Sequence, residues 1–284
     1  MGILYVVATP IGNLGDMSSR AIETLKEVDF ILAEDTRQTI KLLNHFNIKN
    51  KMVSYHKYNE AKTSDSLIEK LQSGINVALV SDAGTPCISD PGYVLVNKAR
   101  ENNIEVIGLP GCSAVIDALS ISGLDTSSFS FYGFLPLEKK SRKELLNDIK
   151  SSNISVKAIY ESPKRIFKLL DELKNEMPGC KVCVLTELTK MHEKCFYGKI
   201  DEVIEKLGKD DSANKGEYVV LLSNEVKKEE SNNNISLEAL IVDEMIKNDC
   251  SVKEAILHVK NNNNEISKKM IYDASLNLKE LLKK

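Results

Sequence analysis

The stretch Val80-Ser-Asp-Ala-Gly-Thr-Pro-Cys-Ile-Ser-Asp-Pro-Gly92 limits what this chain can fold into more than any other. It follows Val77-Ala-Leu-Val80, a short, branched apolar run bounded by turn formers, and such a run predicts a buried strand. Gly84, Pro86, Pro91 and Gly92 then shape a long loop. Glycine lets backbone approach a ligand closely, and proline fixes a loop without a large ordering cost on binding. In open α/β sheets, ligands sit where strands end and loops of this kind begin. The stretch reads as a binding loop.

What the loop lacks narrows the ligand. No glycine-rich turn closes with Lys-Ser or Lys-Thr at a helix start, as a phosphate cradle requires. The first strand, Leu4-Tyr-Val-Val-Ala8, runs into Thr9-Pro-Ile-Gly-Asn-Leu-Gly-Asp16, where Gly12 and Gly15 stand alone. A dinucleotide fingerprint needs three spaced glycines there, and a proline occupies a place where a backbone donor would be wanted. A ligand read through shape and backbone groups, without a pyrophosphate, fits both loops. Ordinary strand-to-helix turns are the plainer alternative.

The 284 residues suit one large or two modest domains, with 42% apolar and 28% charged residues. No apolar run approaches membrane-spanning length and the N-terminus enters a strand directly, so a cytoplasmic protein without membrane contact is expected. The six cysteines are scattered, and reduced thiols are the default. Cys180 and Cys183 form a C-x-x-C, but the pair opens a strand and no second pair follows. Packed thiols are expected there, and no metal site. A formal net charge of −3 carries no global signature of nucleic-acid binding, so contact with a polyanion must come from local patches. Lys139-Lys140-Ser-Arg142-Lys143, Lys164-Arg165 with Lys168, and Lys190 with Lys194 are the candidates, each of which is alternatively a solvated face.

Strand and helix patterns alternate through a first domain, residues 1–122, which predicts a mostly parallel sheet covered on both faces. A second sharp loop, Gly108-Leu-Pro-Gly-Cys112, feeds a helix over Ser113–Ser122. A second α/β domain is expected over 123–224, with strands at Ser130–Phe134, Lys157–Tyr160, Val182–Thr186 and Tyr218–Leu222. The charged, Asn-rich segment 225–234 reads as a flexible tether. In a helical module over 235–284, Ser251-Val-Lys-Glu254 is a capping box, and three short helices suggest a helix-turn-helix-like or a dimerising unit.

The order of several strings is distinctive. Val6-Ala-Thr-Pro-Ile-Gly-Asn-Leu-Gly-Asp16, Ala33-Glu-Asp-Thr-Arg37, the Val80–Gly92 loop and Leu109-Pro-Gly-Cys-Ser-Ala114 come first. Glu161-Ser-Pro-Lys-Arg165, Glu187-Leu-Thr-Lys190 and Gly216-Glu-Tyr-Val-Val220 follow. Together they resemble the tetrapyrrole-methylase superfamily of S-adenosylmethionine-dependent enzymes, and within it the ribosomal RNA small-subunit methyltransferase I branch. The likeness spans nearly the whole chain. One departure is Lys164, where the branch more often has His.

The resemblance implies a two-domain tetrapyrrole-methylase (class III methyltransferase) α/β fold with a helical C-terminal module. It implies 2′-O-methylation of a cytidine ribose in the decoding centre of 16S ribosomal RNA by a homodimer, with the assembled small subunit as the expected substrate. S-adenosylmethionine would lie folded between the domains. Pro10, Asp82, Ala83, Gly84, Thr85, Pro86, Ile88, Ser113 and Ala114 would line one side, and Tyr160, Leu188 and Glu217 the other. A ribose hydroxyl is a weak acid, so a base or a cation near it should help by roughly 10²–10⁴-fold. Strand-end positions nominate Glu34, Asp35, Arg37, Glu187 and Lys190 near the cleft mouth, with Asp35 or Glu187 expected to take the proton. Arg37, Lys164, Arg165, Lys139, Lys140 and Arg142 are the expected RNA contacts, and Tyr55, His56 and Tyr58 are candidates to stack a base. Methylation of a tetrapyrrole carbon, or a regulator using the pocket as a sensor, are the competing readings.

Overall fold

The computed structural model describes residues 1–223, 236–262 and 268–281. Its first sheet is built from β1 (Ile3–Val7), β2 (Phe30–Ala33), β3 (Met52–Ser54), β4 (Val77–Val80) and β5 (Glu105–Leu109). The spatial order is β3-β2-β4-β1-β5 and every pairing is parallel. The connecting helices are α1 (Ser19–Glu27), α2 (Thr36–His45), α3 (Glu60–Gln72) and α4 (Tyr93–Glu101), and α5 (Ala114–Ile121) leaves the last strand. β2 and β4 are buried at every position because helices cover both faces. Successive side chains alternate between those faces. Val77 and Leu79 pack with Leu71 and Leu95 on one side, while Ala78 and Val80 pack with Leu25 and Leu43 on the other.

β4 and β1 are parallel neighbours, which places the C-terminal ends of both strands, and the loops that leave them, side by side. Thr9 and Gly84 exchange backbone hydrogen bonds of 2.8 and 2.9 Å, and the Thr9 hydroxyl donates to the Ser81 carbonyl at 3.2 Å. Thr85 Oγ1 donates to the Cys112 carbonyl at 2.9 Å, which ties in the loop after β5. A side chain at Gly111 would start 2.8 Å from the Ala8 Cβ, so only glycine allows that approach. Three loops are thereby held as one rim.

The second sheet contains β6 (Phe129–Phe134), β7 (Val156–Glu161), β8 (Lys181–Thr186), β9 (Lys194–Lys199) and β10 (Tyr218–Ser223), in the order β6-β7-β10-β8-β9. Here the pairing is mixed, a direction that the strand positions alone do not predict. Only β6 and β7 run parallel, and β10 pairs antiparallel with both β7 and β8. α6 (Lys139–Ser151), α7 (Ile166–Glu176) and α8 (Ile200–Gly208) cover one face. The other face is covered from the first half of the chain, as Val115, Ala118 and Leu119 of α5 pack on Ala158, Leu185 and Leu221. Residues 1–225 accordingly form a single compact unit. β9 and α8 are absent from the sequence reading. β9 is a polar edge strand with a lysine at each end, a device that discourages further strand pairing and erases the apolar alternation. Cys180 and Cys183 are buried thiols, as their packing role predicts, and Cys183 Sγ lies 3.3 Å from Cys195 Sγ.

Residues 226–284 form a separate unit. Its helices are α9 (Leu237–Asn248), α10 (Val252–Asn262) and α11 (Lys268–Leu281), joined by a core of Ile241, Ala255, Val259, Ala274 and Leu278. The capping box forms as read. The Ser251 N–H donates to Glu254 Oε2 at 2.9 Å, and the Glu254 N–H donates to Ser251 Oγ at 3.4 Å. The segment read as a tether, 225–234, lies outside the described residues. No helix among the described residues is long and apolar enough to cross a membrane.

Candidate active site

A cavity of about 290 Å³ lies between the loop rim of the first sheet and the strand ends of the second. Of the residues expected to hold a ligand, Asp82, Ala83, Gly84, Thr85, Ile88, Ser113 and Ala114 line the first wall. Tyr160, Leu188 and Glu217 line the second. Pro10 and Pro86 do not reach the cavity, and Pro86 is buried behind the loop whose path it sets. Ile11, Glu34, Ser89, Asp90, Phe134, Tyr218 and Val219 complete the lining without having been singled out as ligand contacts. Ser89 and Asp90 sit inside the loop string itself, just past Ile88, where the expected contacts in that string ended.

Glu187 and Lys190 both face the cavity, 2.9 Å apart. Glu187 and Thr189 adopt φ of 54° and 65°, a left-handed backbone that non-glycine residues rarely take. Gly216 makes room for this turn, since a Cβ there would stand 2.0 Å from Glu187 Oε1. Gly12 does the same on the opposite wall, where a Cβ would meet Lys190 Cγ at 2.6 Å. The lysine stem therefore lies against the loop after β1.

Asp35 is a correction. Its carboxylate accepts the Arg37 N–H at 2.8 Å as the cap of α2, and pairs with Arg37 Nη2 at 2.6 Å. The Arg37 guanidinium holds its pKa down at about 2, too low for a useful proton acceptor near neutral pH, and it does not line the cavity. Arg142 is a second correction. Its side chain is 5% exposed and its guanidinium is committed to Glu172 at 2.8 Å and to the fully buried Glu161 at 3.6 Å. It is a structural cation and has no surface to offer RNA. Arg165 pairs with the other Glu161 oxygen at 2.6 Å but stays partly exposed. Arg37, Lys139, Lys140 and Lys164 are exposed. Tyr55 is a third correction: it is buried, with its hydroxyl 3.2 Å from Ser64 Oγ, and cannot stack a base. Tyr58 is 96% exposed.

The cavity is acidic. Burial raises the carboxyl groups of Glu34 and Asp82 above their ordinary range. Burial, reinforced by the charges of Glu34, Asp82 and Glu217, lifts Asp90 to about 7. The Tyr160 hydroxyl accepts the Val115 N–H at 3.0 Å at the start of α5, and its ring meets Phe131 and Phe134 edge-on at 4.8 and 5.6 Å. The cavity thus combines an aromatic corner, a helix N-terminus and unpaired carboxylates, with no phosphate cradle. These groups suit a zwitterionic ligand that carries an additional positive charge.

Residues 3–204 match the family model described as Tetrapyrrole (Corrin/Porphyrin) Methylases, and the chain belongs to that family. Curated relatives narrow the placement. The chain is 49% identical over 222 residues to the ribosomal RNA small subunit methyltransferase I of Vibrio cholerae, covering 78% of this chain and 76% of the relative. It is 40% identical over 281 residues to the protein of the same name from Buchnera aphidicola subsp. Schizaphis graminum, covering 98% and 97%. Among solved structures, uroporphyrin-III C-methyltransferase from Thermus thermophilus, complexed with S-adenyl homocysteine, shares the fold. Its TM-score is 0.54 at 17% identity, over 78% of this chain and 98% of that one.

Proposed function

We propose that this chain transfers a methyl group from S-adenosylmethionine to the 2′-hydroxyl of a cytidine ribose in 16S ribosomal RNA. It acts as a cytoplasmic homodimer on the assembled small subunit. Relatives at 49% and 40% identity that bear the name of a ribosomal RNA methyltransferase support the activity class. The observation that carries the donor is the acidic cavity without a phosphate cradle: Glu34, Asp82 and Glu217 face a ligand whose sulfonium and ammonium are both cationic. The start of α5, at Ser113 and Ala114, suits its carboxylate.

When bound, the sulfonium supplies an already activated methyl group. The chain's own share is then mainly positioning, which in favourable intramolecular models is worth on the order of 7–11 kcal/mol. The stitched rim of Thr9, Gly84 and Thr85 holds one wall fixed while Leu188 and Tyr160 close the other. Exposed Arg37, Lys139, Lys140 and Lys164, with the partly exposed Arg165, present cations to the RNA backbone. Each phosphate they neutralise adds about 0.7 to the slope of log affinity against log salt for a single strand.

The test is to incubate the protein with labelled S-adenosylmethionine and small ribosomal subunits, free 16S RNA or a precorrin, and to map ribose methylation by mass spectrometry. Label in a cytidine ribose of the subunit is the expected result. Label in the precorrin, or in nothing, would replace this reading with one of its competitors.

A further inference from the structure

Most carboxylates of the cavity are already employed. Glu187 is paired with Lys190 at 2.9 Å. Asp82 accepts the Asp35 N–H at 3.0 Å, and Glu34 accepts a backbone N–H from Asp82 and also faces His56. These contacts hold the ends of β2 and β4 together. Glu217, on the opposite wall, is exposed to solvent. Asp90 differs from all of them. The Ser81 hydroxyl lies near it, and no lysine, arginine or histidine among the described residues forms an ion pair with it. The charged groups that face it are the carboxylates of Glu34, Asp82 and Glu217, with the Cys87 thiol and the Tyr160 phenol close by.

The turn that carries Asp90 is pinned from several directions. Cys87 and Ser89 both adopt a φ of 70°, where non-glycine residues are strained. The Cys87 N–H donates to the Pro91 carbonyl, and the Gly92 N–H donates to Glu60 Oε2 at 3.2 Å. Gly92 has a φ of 136°, and a Cβ there would start 2.6 Å from Cys87 Sγ. A Cβ on Gly133 would stand 2.8 Å from Ser89 Oγ, so the turn also rests directly on β6. A costly backbone path is held in place, and it delivers one carboxylate without a counter-ion into the cavity.

We propose that Asp90 is the catalytic residue that receives the proton of the acceptor hydroxyl. The assignment rests on the proposed methyl transfer to a ribose oxygen. In that step the hydroxyl oxygen bonds to the methyl carbon, the carbon–sulfur bond breaks with its electron pair going to sulfur, and the hydroxyl proton passes to an Asp90 oxygen and then to solvent. Neither candidate named from strand ends fits as well, because Asp35 is neutralised by Arg37 and Glu187 by Lys190. A base works best when its pKa lies near the working pH, and burial, reinforced by the negative charge crowded around Asp90, places it there.

The experiment compares wild type, D90N and D90E in two measurements. One is turnover on small ribosomal subunits at saturating S-adenosylmethionine from about pH 5.5 to 9. The other is calorimetric binding of S-adenosylmethionine. Wild-type turnover should rise about tenfold per unit below pH 7 and level off above it. D90N should lose roughly 10²–10⁴-fold in turnover and the inflection with it. It should bind the donor within about threefold of wild type, and D90E should recover part of the rate with the inflection displaced. Turnover of D90N within about tenfold of wild type, or an unchanged inflection in that variant, overturns the assignment. Loss of donor binding in D90N makes Asp90 a donor contact and overturns it as well. A wild-type protein that binds the donor but methylates no RNA removes the acceptor chemistry along with it, whereas an active wild type with an active D90N removes only the role of Asp90.

Discussion

The two sheets treat buried negative charge in opposite ways. In the second sheet three sheltered carboxylates have a cation: Glu161 sits between Arg142 and Arg165, Glu187 meets Lys190, and Asp210 takes Lys194 at 2.7 Å. At the rim of the first sheet, Glu34, Asp82 and Asp90 crowd together with no ion pair among the described residues, and burial raises all three above the usual carboxylate range, offset only in part by His56 near Glu34 and Arg37 near Asp82. Unpaired buried charge is destabilising, so a fold keeps it where it serves chemistry. The second sheet uses ion pairs to hold its shape; the first keeps its rim electrostatically unsatisfied.

The contrast breaks first at Arg142. Replacing it by Ala leaves the fully buried Glu161 with Arg165 alone and takes the 2.8 Å partner from Glu172, and should cost about 3 kcal/mol in urea unfolding, because a buried charge loses one of its two cations. Stability within experimental error of wild type would mean that solvent reaches Glu161 and that the second sheet is not held by compensation. Gly216→Ala comes next. Its φ of 75° and the clash with Glu187 Oε1 should cost about 1–3 kcal/mol and displace the Glu187–Lys190 pair, which calorimetry would read as weaker donor binding.

Asp90→Asn should act in the opposite direction. The folded-state pKa of Asp90 lies near 7, above the 3.8 of an ordinary aspartate, so its favourable contribution is complete below about pH 4 and is lost as pH rises through 7. Asparagine carries no such loss. The variant should melt higher than wild type, with a larger gain at pH 8 than at pH 5, even as turnover falls. A gain independent of pH would show that the rim is not charge-strained. Asp35→Asn should have the smallest effect. With the native pKa lowered to about 2, the stabilisation is present above pH 4 and fades as pH falls toward 2. Removing it from an exposed cap should shift the melting temperature at pH 7 by a few degrees at most, leaving turnover unchanged.

How far the sequence foretells these regions differs for the same physical reason. The first sheet is covered on both faces, so β2 and β4 are unbroken apolar runs, and the Pro/Gly strings after them mark the rim. The Val80–Gly92 loop was legible as a binding loop, and Asp82–Thr85 do line the cavity. β9 was not legible, because an edge strand protected by lysines resembles a surface loop. Arg142 sat in a run of cations that read as an RNA-contacting patch or a solvated face, and only the tertiary meeting of α6 with Glu161 at the end of β7 buries it. Asp90 was passed over because its character comes from burial in the cavity wall and from Glu34 and Glu217, both remote in the chain. A string shows which groups are present; it does not show which of them lack a partner.

The paired backbone hydrogen bonds between Thr9 and Gly84 have a mechanical consequence. The turns after the first and fourth strands share one anchor, so any molecule that presses on the glycine also shifts the segment bearing Gly12. Because the Lys190 stem rests on Gly12, such pressure is transmitted across the cleft to the far wall. Occupancy on one side would then be felt by the lysine on the other, through contact alone and without either sheet changing its pairing.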